Sequence, residues 1–119
     1  MAVLDRGPEH LLRDPAYFGQ LFESLVVHEL RALTGRTVYH ARLNTKLEVD
    51  AIANVGGRDV LVEVKLGYTP EVIDHAADTL KRFAAQLEDD PALVVITSGG
   101  PALRRNDGVA VIPIGALGP

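Results

Sequence analysis

Glu63-Val64-Lys65 sets an acid and an amine two residues apart inside the β-prone run DVLVEVKL. Alternate side chains of a strand share a face, so Glu63 and Lys65 point one way while Val62, Val64 and Leu66 point the other. Asp50 lies in the preceding run, LEVDAIANV, and Gly56-Gly57 between the two runs is a tight hairpin signal. A turn centred there sets Asp50 opposite Glu63. Opposed residues on one face hold their Cβ atoms within about 5 Å. Two carboxylates repel by about 3 kcal/mol at that distance for an effective dielectric near 20. A divalent cation relieves that repulsion, and hard oxygen donors suit Mg²⁺ or Mn²⁺. Glu23, on a helix expected to pack against this sheet, would add a further oxygen, and the backbone carbonyl of Val64 another. Such a group supports metal-assisted phosphodiester hydrolysis, with Lys65 as a compact positive charge for a phosphate or a nascent hydroxide. By spacing alone, the same residues are better described as a solvated cross-strand charge ladder. Against that reading, the acids sit in otherwise apolar strands.

The elements that must position these groups are legible in outline. Asp14-Pro15 is a cap-plus-proline helix start and Gly35 a stop. On that helix Gln20, Ser24, His28 and Arg31 form the wet face. Phe18, Leu21, Phe22, Leu25, Val26, Leu30 and Leu33 form the apolar one. Glu23 sits at the edge of the apolar face and Glu29 near its centre, and buried carboxylates need partners. Strands are expected over residues 36–42, 47–55 and 59–66. Thr69-Pro70 opens a second helix, whose apolar stripe runs from Val72 to Leu87 before Asp89-Asp90-Pro91 ends it. LVVIT (93–97) reads as a strand covered on both faces. The segment SGGPALRRNDG is expected to be a loop, and residues 109–114 a last strand, with Pro113 marking an edge or an end. The order α-β-β-β-α-β-β implies an α/β fold with a mixed β-sheet flanked by helices.

The 119 residues are one domain's worth of chain, and 47% apolar with 24% charged residues is ordinary for a globular protein. No stretch approaches the roughly 18 apolar residues of a membrane span. The charged N-terminus lacks an apolar signal core, and the compartment expected is the cytoplasm. The absence of cysteine excludes disulfides, thiolate metal sites and a cysteine nucleophile. A net charge of −4 argues against gripping nucleic acid by bulk electrostatics, though not against a local basic groove. Arg42, Lys46, Lys81, Arg82, Arg104 and Arg105 are the candidates for such a groove, with Arg104 and Arg105 the most exposed by their loop setting. There is no GxxxxGK[ST], GxGxxG or HExxH, and His10, His28, His40 and His75 lack ligand spacing.

Taken together, FGQLFESLVVHEL, LEVDAIANV, VLVEVKLG and the ending VAVIPIGALG resemble the C-terminal domain of a broad group of prokaryotic AAA-type ATPases. That domain is commonly labelled as of unknown function. It is similar to the PD-(D/E)xK nuclease superfamily, which includes restriction endonucleases and archaeal Holliday-junction resolvases. The resemblance spans residues 14–117 and implies a restriction-endonuclease-like αβββαβ core. The whole chain, 1–119, would be a single nuclease-like domain, with residues 1–13 an extension or linker remnant.

By that resemblance Asp50 and Glu63 would be metal-binding acids and Lys65 the residue that positions the attacking water. Glu23 would be the helix-borne acid, and Glu48 and Glu29 accessory acids, with an ion pair between Glu29 and Arg42 as the alternative for Glu29. Mg²⁺ or Mn²⁺ and DNA are implied as cofactor and substrate. The sequence departs from the pattern at Val49, which stands where the literal motif has proline. The ATPase and winged-helix portions that usually precede the domain are not in this chain. Two further readings stay open. One is a catalytically idle module with a regulatory or interaction role for an AAA-type ATPase. The other is a small domain whose role is self-association, which is compatible with a nuclease because nucleases of this fold often act as dimers.

Overall fold

The computed structural model describes residues 15–35, 38–42 and 47–117. The N-terminal extension and Lys46 lie outside them, as do His10 and the side chains of His40 and Arg42.

Helix α1 spans Pro15–Thr34, as the proline and glycine at its ends predict. Gly35 takes a left-handed φ of +65° and donates its N–H to Arg31 O at 2.9 Å, which closes the last turn. Phe22, Val26 and Leu30, four residues apart, are buried. Ser24, His28 and Arg31 are exposed, as expected. Leu25 is not: it is half exposed, so the buried stripe of α1 is narrower than the sequence suggests.

The chain then forms β1 (Tyr39–Arg42), β2 (Glu48–Val55) and β3 (Arg58–Lys65), all antiparallel. Gly56 and Gly57 turn the β2–β3 hairpin with φ of +61° and +85°. Positive φ at both central residues is the demand of a type I′ turn. Asn54 supports it by accepting from the Gly57 N–H and donating to Asp59.

Helix α2 (Pro70–Ala84) crosses over to β4 (Ala92–Thr97), which runs parallel to β3. Thr69 caps α2 by accepting the Val72 N–H at 3.3 Å. Thr69→Ala is expected to cost about 1 kcal/mol, read as a lower urea midpoint at unchanged slope. The helix ends at Ala84, short of the acidic stop, because the last bonds, Gln86 N–H to Phe83 O and Leu87 N–H to Ala84 O, tighten to i→i−3. Leu87 still packs on the core.

Strand β6 (Ala110–Pro113) pairs parallel to β4, and Pro113 is its last residue. The segment expected to be a loop contains a two-residue strand, β5 (Leu103–Arg104), antiparallel to β6. A 3₁₀ turn over Ile114–Ala116 follows. The sheet order is β1-β2-β3-β4-β6-β5. This is an α/β fold with a mixed sheet, and its element order contains the expected αβββαβ series.

The two helices cover opposite faces. Ala76, Ala77, Leu80 and Phe83 of α2 pack with Ile52, Leu61, Val95 and Val111. Phe22, Val26 and Leu30 of α1 pack with Ala51, Ala53, Val62 and Ile96. Leu61 and Val62 thus go to different layers, as do Val95 and Ile96, which is why Val60-Leu61-Val62 in β3 and residues 92–96 in β4 read as apolar on both faces. Each fully buried side chain such as Phe83 or Leu61 contributes about 1.5–3 kcal/mol. Among the described residues, no helix is long and apolar enough to cross a membrane.

Candidate active site

The β2–β3 ladder pairs Val55 with Arg58 through to Ala51 with Val62, so Asp50 and Glu63 follow as the next opposed residues. At that point side chains take up the backbone bonding. Asp50 Oδ2 accepts the Val64 N–H at 2.8 Å, and Glu63 Oε1 accepts the Asp50 N–H at 3.2 Å.

The cause lies on the other side of β2. Between Tyr39 and Ala41, β1 advances two residues while β2 advances three, from Ile52 to Val49. The surplus residue makes a bulge at Asp50-Ala51, a device that bends a strand and re-aims a side chain. The packing agrees: Val49 and Ile52, three positions apart, join the same α2-side layer. A regular strand would send them to opposite faces.

Glu63 is buried, with 6% of its surface exposed, and faces the α2 side with Leu61. Lys65 Nζ stands 3.8 Å from Glu63 Oε2 and is partly exposed. Burial pushes the Glu63 carboxyl up to about 7 from its ordinary 4.5. The charge of Asp50 pushes the same way, against the ammonium of Lys65 and the N–H of Asp50, and Glu23 adds a smaller upward push. Around Glu63, then, burial and neighbouring negative charge outweigh the one ammonium.

Of the residues singled out in the sequence, Asp50, Glu63, Lys65 and the backbone of Val64 come together. Glu23 is half-buried on α1, close enough for its charge to be felt at Glu63. It lines a hollow of about 450 Å³ with Ser24, Val27 and Arg31. Glu29 lies six residues further along α1 and is half-buried. Glu48 opens β2 at an exposed position, paired in register with Arg42. Among the described residues, no group of three or more acids or histidines is arranged to hold a metal ion.

Three of the cations expected to follow a nucleic-acid backbone are engaged. Arg105 bonds Asp74 at 2.6 Å and Asp107 at 3.2 Å, and Lys81 bonds Asp107 at 3.0 Å. Hydrogen bonds from Arg105 hold the Asp107 carboxyl well below the usual carboxylate range, with Lys81 adding to the effect. Arg82 lies 3.8 Å from Asp78, one turn back on α2. Arg104 is exposed on edge strand β5. Arg105 and Lys81 therefore tie the β5–β6 turn to α2.

Sequence reasoning missed the bulge and the bond from the Val64 N–H to Asp50. Strands apolar on both faces hide the slip in alternation that marks an extra residue.

No curated protein and no solved structure matches the chain. A family model described as a domain of unknown function (DUF4143) matches residues 18–117, which include both helices' buried stripes and all six strands. The description assigns the domain no activity, and such domains are often found with AAA ATPases. The chain belongs to this DUF4143 family.

Proposed function

We propose that this domain is a metal-dependent phosphodiesterase acting on DNA, built on a restriction-endonuclease-like core. The observation that carries the reading is a buried carboxylate, Glu63, set against Asp50 on a β-bulge with Lys65 alongside. Burying a carboxylate is costly, and setting a second acid beside it adds to the cost. Such an arrangement is easier to account for as a cation site than as a stabilising device. The αβββαβ order and the mixed sheet support the same reading.

The residues fit a hard cation. Mg²⁺ is usually held by one or two carboxylates plus water and substrate phosphate, and does not need an all-protein cage. Asp50 and Glu63 supply the carboxylates. The Val64 N–H points at Asp50, and in extended backbone the carbonyl of the same residue faces the same neighbouring strand, which makes it a third donor. Glu23 acts from the opposite helix as an accessory acid. Mg²⁺ or Mn²⁺ bound there would activate a water and offset charge on the phosphate. Lys65, tethered by Glu63, orients that water and meets the non-bridging oxygens.

The direct test is cleavage of single-stranded, duplex and branched DNA with Mg²⁺ or Mn²⁺ against EDTA. A second measurement reads the site alone. Mn²⁺ at about 100 times its Kd should stabilise the fold by roughly 2.7 kcal/mol, a rise in Tm on the order of 10 °C. No shift at millimolar Mn²⁺ would sink the cation site.

One observation favours an idle module that serves an ATPase: Lys81, Arg82 and Arg105, on the expected DNA path, already carry carboxylate partners. That reading expects stabilisation by Mn²⁺ with no cleavage of any substrate.

A further inference from the structure

Beside Lys65, one aromatic ring is held outward. Tyr68 follows β3 by three residues and is 52% exposed. Its ring lies across two consecutive glycines. A Cβ added to Gly100 would stand 2.8 Å from ring Cδ2, and one added to Gly99 would stand 3.3 Å from Cε1. Gly100 takes a φ of +87°, which a side chain would strain as well. The two glycines thus underlie opposite halves of the ring, so the contact is with its face. The turn beneath is itself fastened. Thr97 Oγ1 donates to Gly99 O, and Ser98 Oγ donates to Leu66 O, which ties the end of β4 to the end of β3.

Lys65 pairs with Thr97 in the parallel ladder, so ammonium and ring leave the sheet at the same end. They lie three positions apart, at most about 11 Å between Cα atoms. The fold spends two glycines and two hydroxyl bonds on seating a ring that it does not bury.

We propose that Tyr68 is a stacking platform for an unpaired nucleobase on a strand whose phosphate meets Lys65. The placement of the phosphate rests on the phosphodiesterase reading, while the stacking itself does not. The ring lies against the two glycines while half of the residue's surface stays open to solvent. Bases in an intact duplex are already stacked inside it, so the platform selects single strands, frayed ends or flaps. Base–aromatic stacking tolerates any sequence, because every base has a π-face.

The test measures fluorescence anisotropy of labelled oligo-dT, oligo-U and a blunt duplex of the same length. Ca²⁺ replaces Mg²⁺ in this assay, and cleavage with Mg²⁺ is followed in parallel. Tyr68→Ala is expected to weaken single-strand binding roughly 5- to 150-fold and to leave duplex binding unchanged. Tyr68→Phe, which keeps the π-face, should bind within about twofold of the wild type. Tyr68→Leu keeps apolar bulk without a π-face and should behave as Tyr68→Ala, and melts of all variants exclude unfolding. Comparing oligo-dT with oligo-U identifies which sugar the strand carries. Single-strand binding unchanged in both Tyr68→Ala and Tyr68→Leu, equal losses on the duplex, or a wild type that binds neither oligonucleotide each overturns the platform. If the wild type cleaves DNA while Tyr68 proves irrelevant, the platform alone falls. If Tyr68 matters for binding but nothing is cleaved, the phosphodiesterase reading alone falls.

Discussion

Asp50→Asn is expected to lower kcat/KM for DNA cleavage by about three orders of magnitude while leaving the fold intact. Charge stabilisation by a catalytic cation is worth several kcal/mol, and each 1.36 kcal/mol is tenfold in rate. Losing one of two anionic donors forfeits much of it. The choice of asparagine follows from the bulge. Asp50 Oδ2 accepts the Val64 N–H at 2.8 Å. Alanine would leave that donor unpaired, at a cost of about 1–3 kcal/mol, and a loss of activity would then be confounded with a loss of structure. Asparagine keeps an oxygen for Val64 and removes only the charge. The measurement is single-turnover cleavage with Mg²⁺, alongside a melt with EDTA. Equal rates for wild type and Asp50→Asn would place the activity elsewhere or in a contaminant. A melt displaced by many degrees would instead make Asp50 a structural acceptor.

How far the sequence reveals this site depends on the range of each interaction. The hairpin is local: two glycines with positive φ fix the register, and the register fixes Asp50 opposite Glu63. The cap at Thr69 is local in the same way. The parallel β3–β4 pairing follows from a helix long enough to cross over and a run apolar on both sides. The bulge is not local. Its evidence is a mismatch between β1 and β2, and β2 alone carries alanines and valines that suit either face. The neutralised cations were hidden for a similar reason. Arg105 finds Asp74, 31 residues away, only once α2 lies against the β5–β6 turn. Leu25 shows a limit of periodicity itself. The helical wheel places it on the apolar side of α1, but only Phe22, Val26 and Leu30 among the described side chains of α1 are buried, since one helix meets one sheet face along a narrow line. Tyr68 gave no periodic signal at all, because its seat is made by glycines that precede β5 and follow β4.

In the metal-free protein, Glu63→Gln is expected to raise stability at pH 8 by up to roughly 3 kcal/mol and to change little near pH 4.5. Burial, with Asp50 beside it, pushes the Glu63 carboxyl up to about 7 from 4.5. A carboxyl whose pKa is raised by folding binds its proton more tightly in the native state than in the unfolded chain. Its contribution is therefore most favourable below about 4.5, declines as pH rises to about 7, and stays low above that. The gap between the two values corresponds to roughly 3 kcal/mol at 1.36 kcal/mol per pH unit. Glutamine keeps an oxygen for the Asp50 N–H and carries no charge to desolvate, so its stability should not follow that decline. Urea unfolding between pH 4.5 and 8 in EDTA reads the difference directly. Adding Mn²⁺ at pH 8 should narrow or reverse it, because the cation stabilises the wild-type carboxylate and finds a weaker ligand in glutamine. If Glu63→Gln is instead less stable at every pH, the ion pair with Lys65 at 3.8 Å outweighs burial, and Glu63 is a structural partner with no cation to hold.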